Sequence, residues 1–147
     1  MIFSAFCKHL RVYVVVWVGG LFALVSANAA VQVIGHNPAQ IGALSQAELR
    51  AIYSMKRQYW ANGEAITVVT LASSNPLHKQ FCQQQLGLLP FQLNREWDRL
   101  VFSGTGEPPT EATSVAEMLH IVQQTKGAIG YLPAHIDAAE LHLIVRF

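Results

Sequence analysis

The chain has 147 residues, 52% of them hydrophobic, with ten Lys and Arg against nine Asp and Glu and a formal net charge of +1. Such balance, with no basic stripe, argues against a nucleic-acid partner. Two cysteines, Cys7 and Cys82, are too few for a disulfide framework.

Lys8 and Arg11 precede an apolar stretch from Val12 to Val25, followed by Ser26-Ala27-Asn28-Ala29-Ala30. A basic flank, an apolar core of this length and an Ala-x-Ala ending are the three parts of a secretory signal. A retained anchor needs roughly 20 apolar residues, and this run is shorter and contains Gly19-Gly20. The expectation is a signal peptide over residues 1–29, a periplasmic product without stable membrane insertion, and one domain over residues 30–147. Cys7 and two basic side chains leave with the signal, so Cys82 has no intramolecular partner and the mature chain is close to neutral.

Val31–Gly35 reads as a first strand, stopped by His36-Asn37-Pro38. Ser45-Gln46-Ala47-Glu48 is a capping box, with Leu49, Ile52 and Tyr53 on the apolar side of a short helix. Lys56-Arg57-Gln58-Tyr59-Trp60 leads to a turn at Asn62-Gly63. Ile66–Leu71 is a continuously apolar strand, expected inside its sheet. Asn75 and Pro76 open a helix that buries Leu77 and Phe81 and stops at Gly87. Pro90 starts another, striped by Leu93, Trp97, Leu100 and Val101 and ended by Gly104. The loop Gly104-Thr105-Gly106-Glu107-Pro108-Pro109 follows. Ser114 and Glu117 read as a second capping box before the stripe Val115, Met118, Leu119 and Val122, with Lys126-Gly127 as the stop. Ala128–Leu132 and Leu141–Val145 are two further strands. The alternation predicts an α/β fold with a small mixed sheet flanked by helices.

Two stretches, LSQAELRAIYSMKRQYWANGEAITVVTL and KGAIGYLP, carry a resemblance in their order along the chain. They resemble the phosphate ABC transporter substrate-binding protein family, and more closely its short secreted members with a single lobe. The matching positions are Leu44, Ser45, Leu49, Ile52, Tyr53, Lys56, Trp60, Gly63, Ile66 and Val69, with the motif G-A-I-G-Y at Gly127–Tyr131. The match covers roughly residues 31–133. It implies one Rossmann-like lobe of a type II periplasmic binding protein, whose loops face a ligand cleft, and a role in transport. The segment Ala72-Ser73-Ser74-Asn75-Pro76 corresponds to the family's phosphate loop but holds neither its Arg nor its Gly. The missing guanidinium is the bidentate partner of phosphate oxygens. Met55 stands where the family has Gly, a change expected to alter the local bend.

Ser73, Ser74 and Asn75, at a strand-to-helix junction, are the first ligand-binding candidates, since unpaired first-turn N–H groups and hydroxyls can cradle a small anion such as phosphate. Thr105 between two glycines can offer a hydroxyl to the same cleft, or simply belong to a helix stop and turn. Lys56 and Arg57 can draw an anion or answer a helix dipole. His78 and Cys82 share a helix face, but a nucleophilic pair needs an orienting third group and an oxyanion hole. Neither is signalled, so Cys82 reads as core. His36, His120, His135 and His142 lack metal-ligand spacing. Glu107 with Asp98 or Glu111 has no look of a paired-carboxylate catalyst. No catalytic residue, cofactor or metal is expected. Three functions remain. The first is a non-enzymatic solute-binding module holding a small anion, and the second an interaction module that docks an envelope protein or a second copy of itself. The last is a secreted hydrolase, which needs an intact nucleophile–base pair.

Overall fold

The computed structural model describes residues 30–42, 44–136 and 144–145. The proposed signal peptide lies outside the described residues. No described helix is long and apolar enough to cross a membrane.

Five strands form one mixed sheet in the order β3-β2-β4-β1-β5. β1 (Val31–Gly35) runs antiparallel to β4 (Ala128–Pro133), with Val31 opposite Pro133 and Gly35 opposite Ile129. β2 (Thr67–Leu71) is parallel both to β4 and to β3 (Thr110–Ala112). β5 (Ile144–Val145) pairs antiparallel with the other edge of β1. Of the strand expected at Leu141–Val145, residues 141–143 lie outside the described ones. The coarse expectation of an α/β fold with a small mixed sheet and helices is what the chain adopts.

The helices follow their caps. α1 (Pro38–Ile41) was not expected: Asn37 and Pro38 do stop β1, but they also start a helix. The Asn37 side chain accepts from the Ala39 N–H at 3.1 Å and proline occupies the first position, where a missing N–H costs nothing. α2 (Gln46–Tyr53) has the reciprocal capping box, the Ser45 Oγ accepting from Glu48 N–H and the Glu48 carboxylate accepting from Ser45 N–H at 2.9 Å. That bond and the Arg57 charge hold the Glu48 carboxyl below its ordinary range. α3 (Pro76–Phe81) runs directly into a π-helical turn, Cys82–Leu86, closed by Gly87 in the left-handed region. α4 (Pro90–Phe102) and α5 (Val115–Gln124) follow. At α5 the expected box is only half formed. Ser114 caps Glu117 N–H, whereas the Glu117 carboxylate turns to the backbone N–H and hydroxyl of Thr113.

Side-chain alternation on β4 assigns the two faces of the sheet. A Cβ on Gly130 would meet Met118 and Val122 of α5. The next residue, Tyr131, stacks its ring on Phe81 of α3 at 4.0 Å, and Tyr53 of α2 packs against Phe81 at 4.6 Å. Thus α5 covers one face while α2 and α3 cover the other. The buried core joins both, from Val33 and Ile34 through Val69 and Leu71 to Ile129 and Leu132. The helix stripes are corrected in two places. On α3 the buried residues are His78 and Phe81, with Leu77 only half covered. On α4 Leu93 is buried but Val101 is exposed.

Met55 lies in the left-handed region (φ 58°), a bend that glycine makes without strain. The buried Met55 side chain packs toward Gly106.

Candidate functional site

The segment after β2 is built by three local devices. The Leu71 N–H at the strand end donates to the Tyr131 hydroxyl at 2.9 Å. The Asn75 N–H then closes a tight turn onto the Ala72 carbonyl at 2.8 Å. Finally the Asn75 side chain accepts from the Leu77 N–H at 2.9 Å, capping α3 ahead of Pro76. Asn75 is therefore engaged in its own helix. Ser73 pairs with Asn94 on α4, Asn94 Nδ2 donating to Ser73 Oγ at 2.9 Å. Of the three candidates, Ser74 is the exposed one, and its hydroxyl makes no hydrogen bond among the described residues.

Ser73 and Thr105 are not brought into one cleft. Ser73 borders a hollow of about 290 Å³ that also takes in Thr70, Asn94, Trp97, Asp98 and Glu111. Thr105 borders a different one, of about 460 Å³, with Arg57, Gln58 and Tyr59. Pro108 and Pro109 border both. The Thr105 hydroxyl lies 2.7 Å from Ser103 Oγ, and its N–H returns to the Leu100 carbonyl, which is the helix-stop alternative. Arg57 is paired with Glu48 at 3.2 Å, and Lys56 is exposed.

The hollow at the end of β2 has features the sequence reading missed. Asn94, Trp97, Asp98, Val101 and Phe102 fall at helical spacings of three and four along one side of α4, and all border it. That stripe was visible, but its polar members were set aside in favour of the apolar ones. Glu111 comes from β3, a polar three-residue strand to which the sequence pattern assigns no element. Asp98 and Glu111, each weighed in sequence only against Glu107, border the same hollow, while Glu107 borders the other. No Lys, Arg or His borders the Ser73 hollow.

His78 and Cys82 do meet, and with a third group. His78 Nε2 lies 3.4 Å from Cys82 Sγ, and the Tyr131 hydroxyl lies 2.6 Å from His78 Nδ1. That hydroxyl accepts from Leu71 N–H, and among the described residues Nδ1 is the acceptor within reach of its own proton. His78 is therefore the neutral Nε2–H tautomer, donating toward sulfur. All three side chains are buried. Burial lowers His78 to about 4 and pushes the Cys82 thiol up to about 12, so neither is poised for nucleophilic chemistry near neutrality. This is a hydrogen-bond chain of the core, tying β2, β4 and α3 together.

Elsewhere, Trp60 donates from Nε1 to the Gly127 carbonyl and Trp97 to the Tyr53 carbonyl, both in core-facing positions. His36 Nδ1 lies 3.1 Å from the Gln123 carbonyl at the end of α5. Among the described residues, no three His, Cys, Asp or Glu side chains gather where a metal ion could sit. No family model, no curated protein and no solved structure matches the chain.

Proposed function

We propose that this chain is an exported, non-enzymatic binding module, a single Rossmann-like lobe of the type II periplasmic-binding-protein kind, that takes its ligand at the carboxyl edge of β2. One observation carries the reading: Thr70 of β2, Ser73 of the following loop and Asn94 of α4 converge on one hollow with apolar walls. Small-molecule sites have that composition, and in α/β sheets they lie at that edge. The resemblance to the phosphate-binding family over residues 31–133 supports the same location. A small-anion version of the ligand rests on Ser74 and the first N–H groups of α3, and it finds no cationic side chain bordering the hollow.

Thermal melting with phosphate, sulfate, carboxylates, amines and neutral polyols at millimolar concentration tests the reading. A ligand at about 100 times its Kd raises stability by about 2.7 kcal/mol. One class is expected to raise the melting temperature, and Ser73→Ala with Asn94→Ala to remove the rise. A flat response to every class defeats the proposal.

A second reading, docking of an envelope protein or of a second copy, has its own observation. Phe102 is 89% exposed at the end of α4, with Val101 and Phe91 also exposed. Exposed apolar patches mark interaction surfaces. Cross-linking in periplasmic extract and sedimentation of wild type against Phe102→Ser test it; a monomer with no cross-linked species removes it.

A further inference from the structure

We infer that the hollow at the carboxyl edge of β2 is a site for a small organic cation, an alkylammonium or alkylguanidinium group held between Asp98 and Glu111. The inference rests on the reading of this edge as the binding edge and adds the chemical class of the ligand. Three independent features meet there.

The first is charge. Asp98 and Glu111 both border the hollow, and neither makes an ion pair or side-chain hydrogen bond among the described residues. By contrast Glu48 and Glu96 are paired with arginines, and Glu117 accepts from Thr113. Two uncompensated carboxylates on one rim repel each other and any anion, and a cation relieves both at once. A bare metal ion fits poorly, because no three ligating groups converge there.

The second feature is Thr70. Its side chain is 2% exposed, it borders the hollow, and its hydroxyl has no hydrogen-bond partner among the described residues. An N–H donor entering the hollow supplies what that oxygen lacks, beside the Ser73–Asn94 pair.

The third is the wall. Trp97 and Phe102 border the same space, so an alkyl stem has apolar cover and a cationic head has aromatic rings beside it. The volume of about 290 Å³ suits a head group on a short chain rather than a large solute.

An isosteric series tests the charge directly. Binding of n-butylamine, agmatine, n-butanol and butyrate is followed by amide chemical shifts and calorimetry at low salt. The two cations are expected to saturate with shifts at Ser73, Asn94 and Glu111, and to bind about tenfold or more tighter than butanol, with butyrate not binding. Asp98→Asn and Glu111→Gln are each expected to weaken the cations by about three- to fivefold, as rim carboxylates do, without lowering the unliganded melting temperature. Thr70→Val is expected to weaken them further, and added salt to do the same. A glycyl-arginyl-glycine peptide distinguishes sources of the same chemistry: affinity equal to agmatine marks a free solute, and tighter binding marks a basic side chain of a partner. Equal binding of butanol and butylamine overturns the cation while leaving the binding edge. Phosphate shifting Ser73 and Asn94 does likewise. No binding of any probe overturns both.

Discussion

Two polar clusters meet the end of β2, and they differ in one respect. Tyr131, His78 and Cys82 are closed off from water and satisfy one another around the Leu71 N–H. Thr70, Ser73, Asn94, Asp98 and Glu111 open onto a hollow, and there the Thr70 hydroxyl and two carboxylates make no hydrogen bond or ion pair among the described residues. The first group holds the more reactive residue types, a thiol and an imidazole, yet burial moves both away from reactivity. The second holds unreactive types that remain available to a ligand. Accessibility and unmet hydrogen-bonding capacity, rather than the identity of the side chains, separate scaffold from site.

The sharpest way to break this contrast is to delete one oxygen from the closed cluster. Tyr131→Phe leaves the Leu71 N–H and His78 Nδ1 without partners in the core, at a cost of about 2–4 kcal/mol. Asn94→Ala removes a whole amide from the open cluster, where water can take its place, and should cost less than about 1 kcal/mol. Urea unfolding of the two variants measures the difference. Equal losses would show that the two clusters are equally closed.

Acid gives the next largest effect. His78 stays neutral in the fold because burial lowers it to about 4 from an ordinary 6.5. The unfolded chain takes up the proton first, so stability falls as pH drops from about 6.5 to about 4 and levels off below. At about 1.4 kcal/mol per unit the loss amounts to about 3 kcal/mol. Tyr131, Cys82 and Trp97 are the groups around His78, and none supplies a negative charge at these pH values to offset the effect. Glu48 and Glu117 are shifted in the same direction, downward, and add to the acid loss. Their lowered carboxyls stabilise above about 4.5, and that support goes as pH falls through their folded values. His78→Gln should flatten the slope between pH 6.5 and 4.5 and leave the carboxylate portion. An unchanged slope assigns it elsewhere.

Caps give a smaller effect and sharpen the boundary of the site. Asn75→Ala removes the bond to Leu77 N–H and should cost about 1 kcal/mol. Ser74→Ala touches no hydrogen bond among the described residues and should leave stability within about 0.5 kcal/mol. Thermal melting of the pair separates a residue that builds the junction from one that only faces out of it.

Much of the junction was legible in sequence for the same reason that these caps matter: capping is local, and Asn75-Pro76 and Ser45-x-x-Glu48 carry their geometry in adjacent residues. The same logic, applied to one pair and not the other, missed α1, since Asn37-Pro38 has the same signature as Asn75-Pro76. β3 was not legible. Thr110-Glu111-Ala112 has no apolar alternation and becomes a strand only because β2 offers it a parallel edge, with Val69 opposite Thr110. The Ser73–Asn94 pair spans 21 residues, and the placing of Asp98 and Glu111 on one hollow depends on that unforeseen strand. His78 and Cys82 were correctly placed on one helix face. Their third partner, Tyr131, lies 53 residues from His78 and arrives only through the sheet order.

The smallest effect reverses the largest. Tyr53 lies with its ring centroid 6.3 Å from that of Tyr131 in the same aromatic cluster, and its buried hydroxyl finds no partner among the described residues. Burial among Phe81 and Tyr131 pushes that phenol well above its ordinary range, as expected of a group the core accepts only uncharged. Tyr53→Phe keeps the ring contacts and removes an unsatisfied polar atom, so stability should stay level or rise by up to about 1 kcal/mol. The same loss of one oxygen, at neighbouring rings, is then costly where the hydroxyl joins β2 to α3 and harmless where it joins nothing. A loss above about 1 kcal/mol on Tyr53→Phe would mean that a buried water holds the hydroxyl. The closed cluster would then extend into α2.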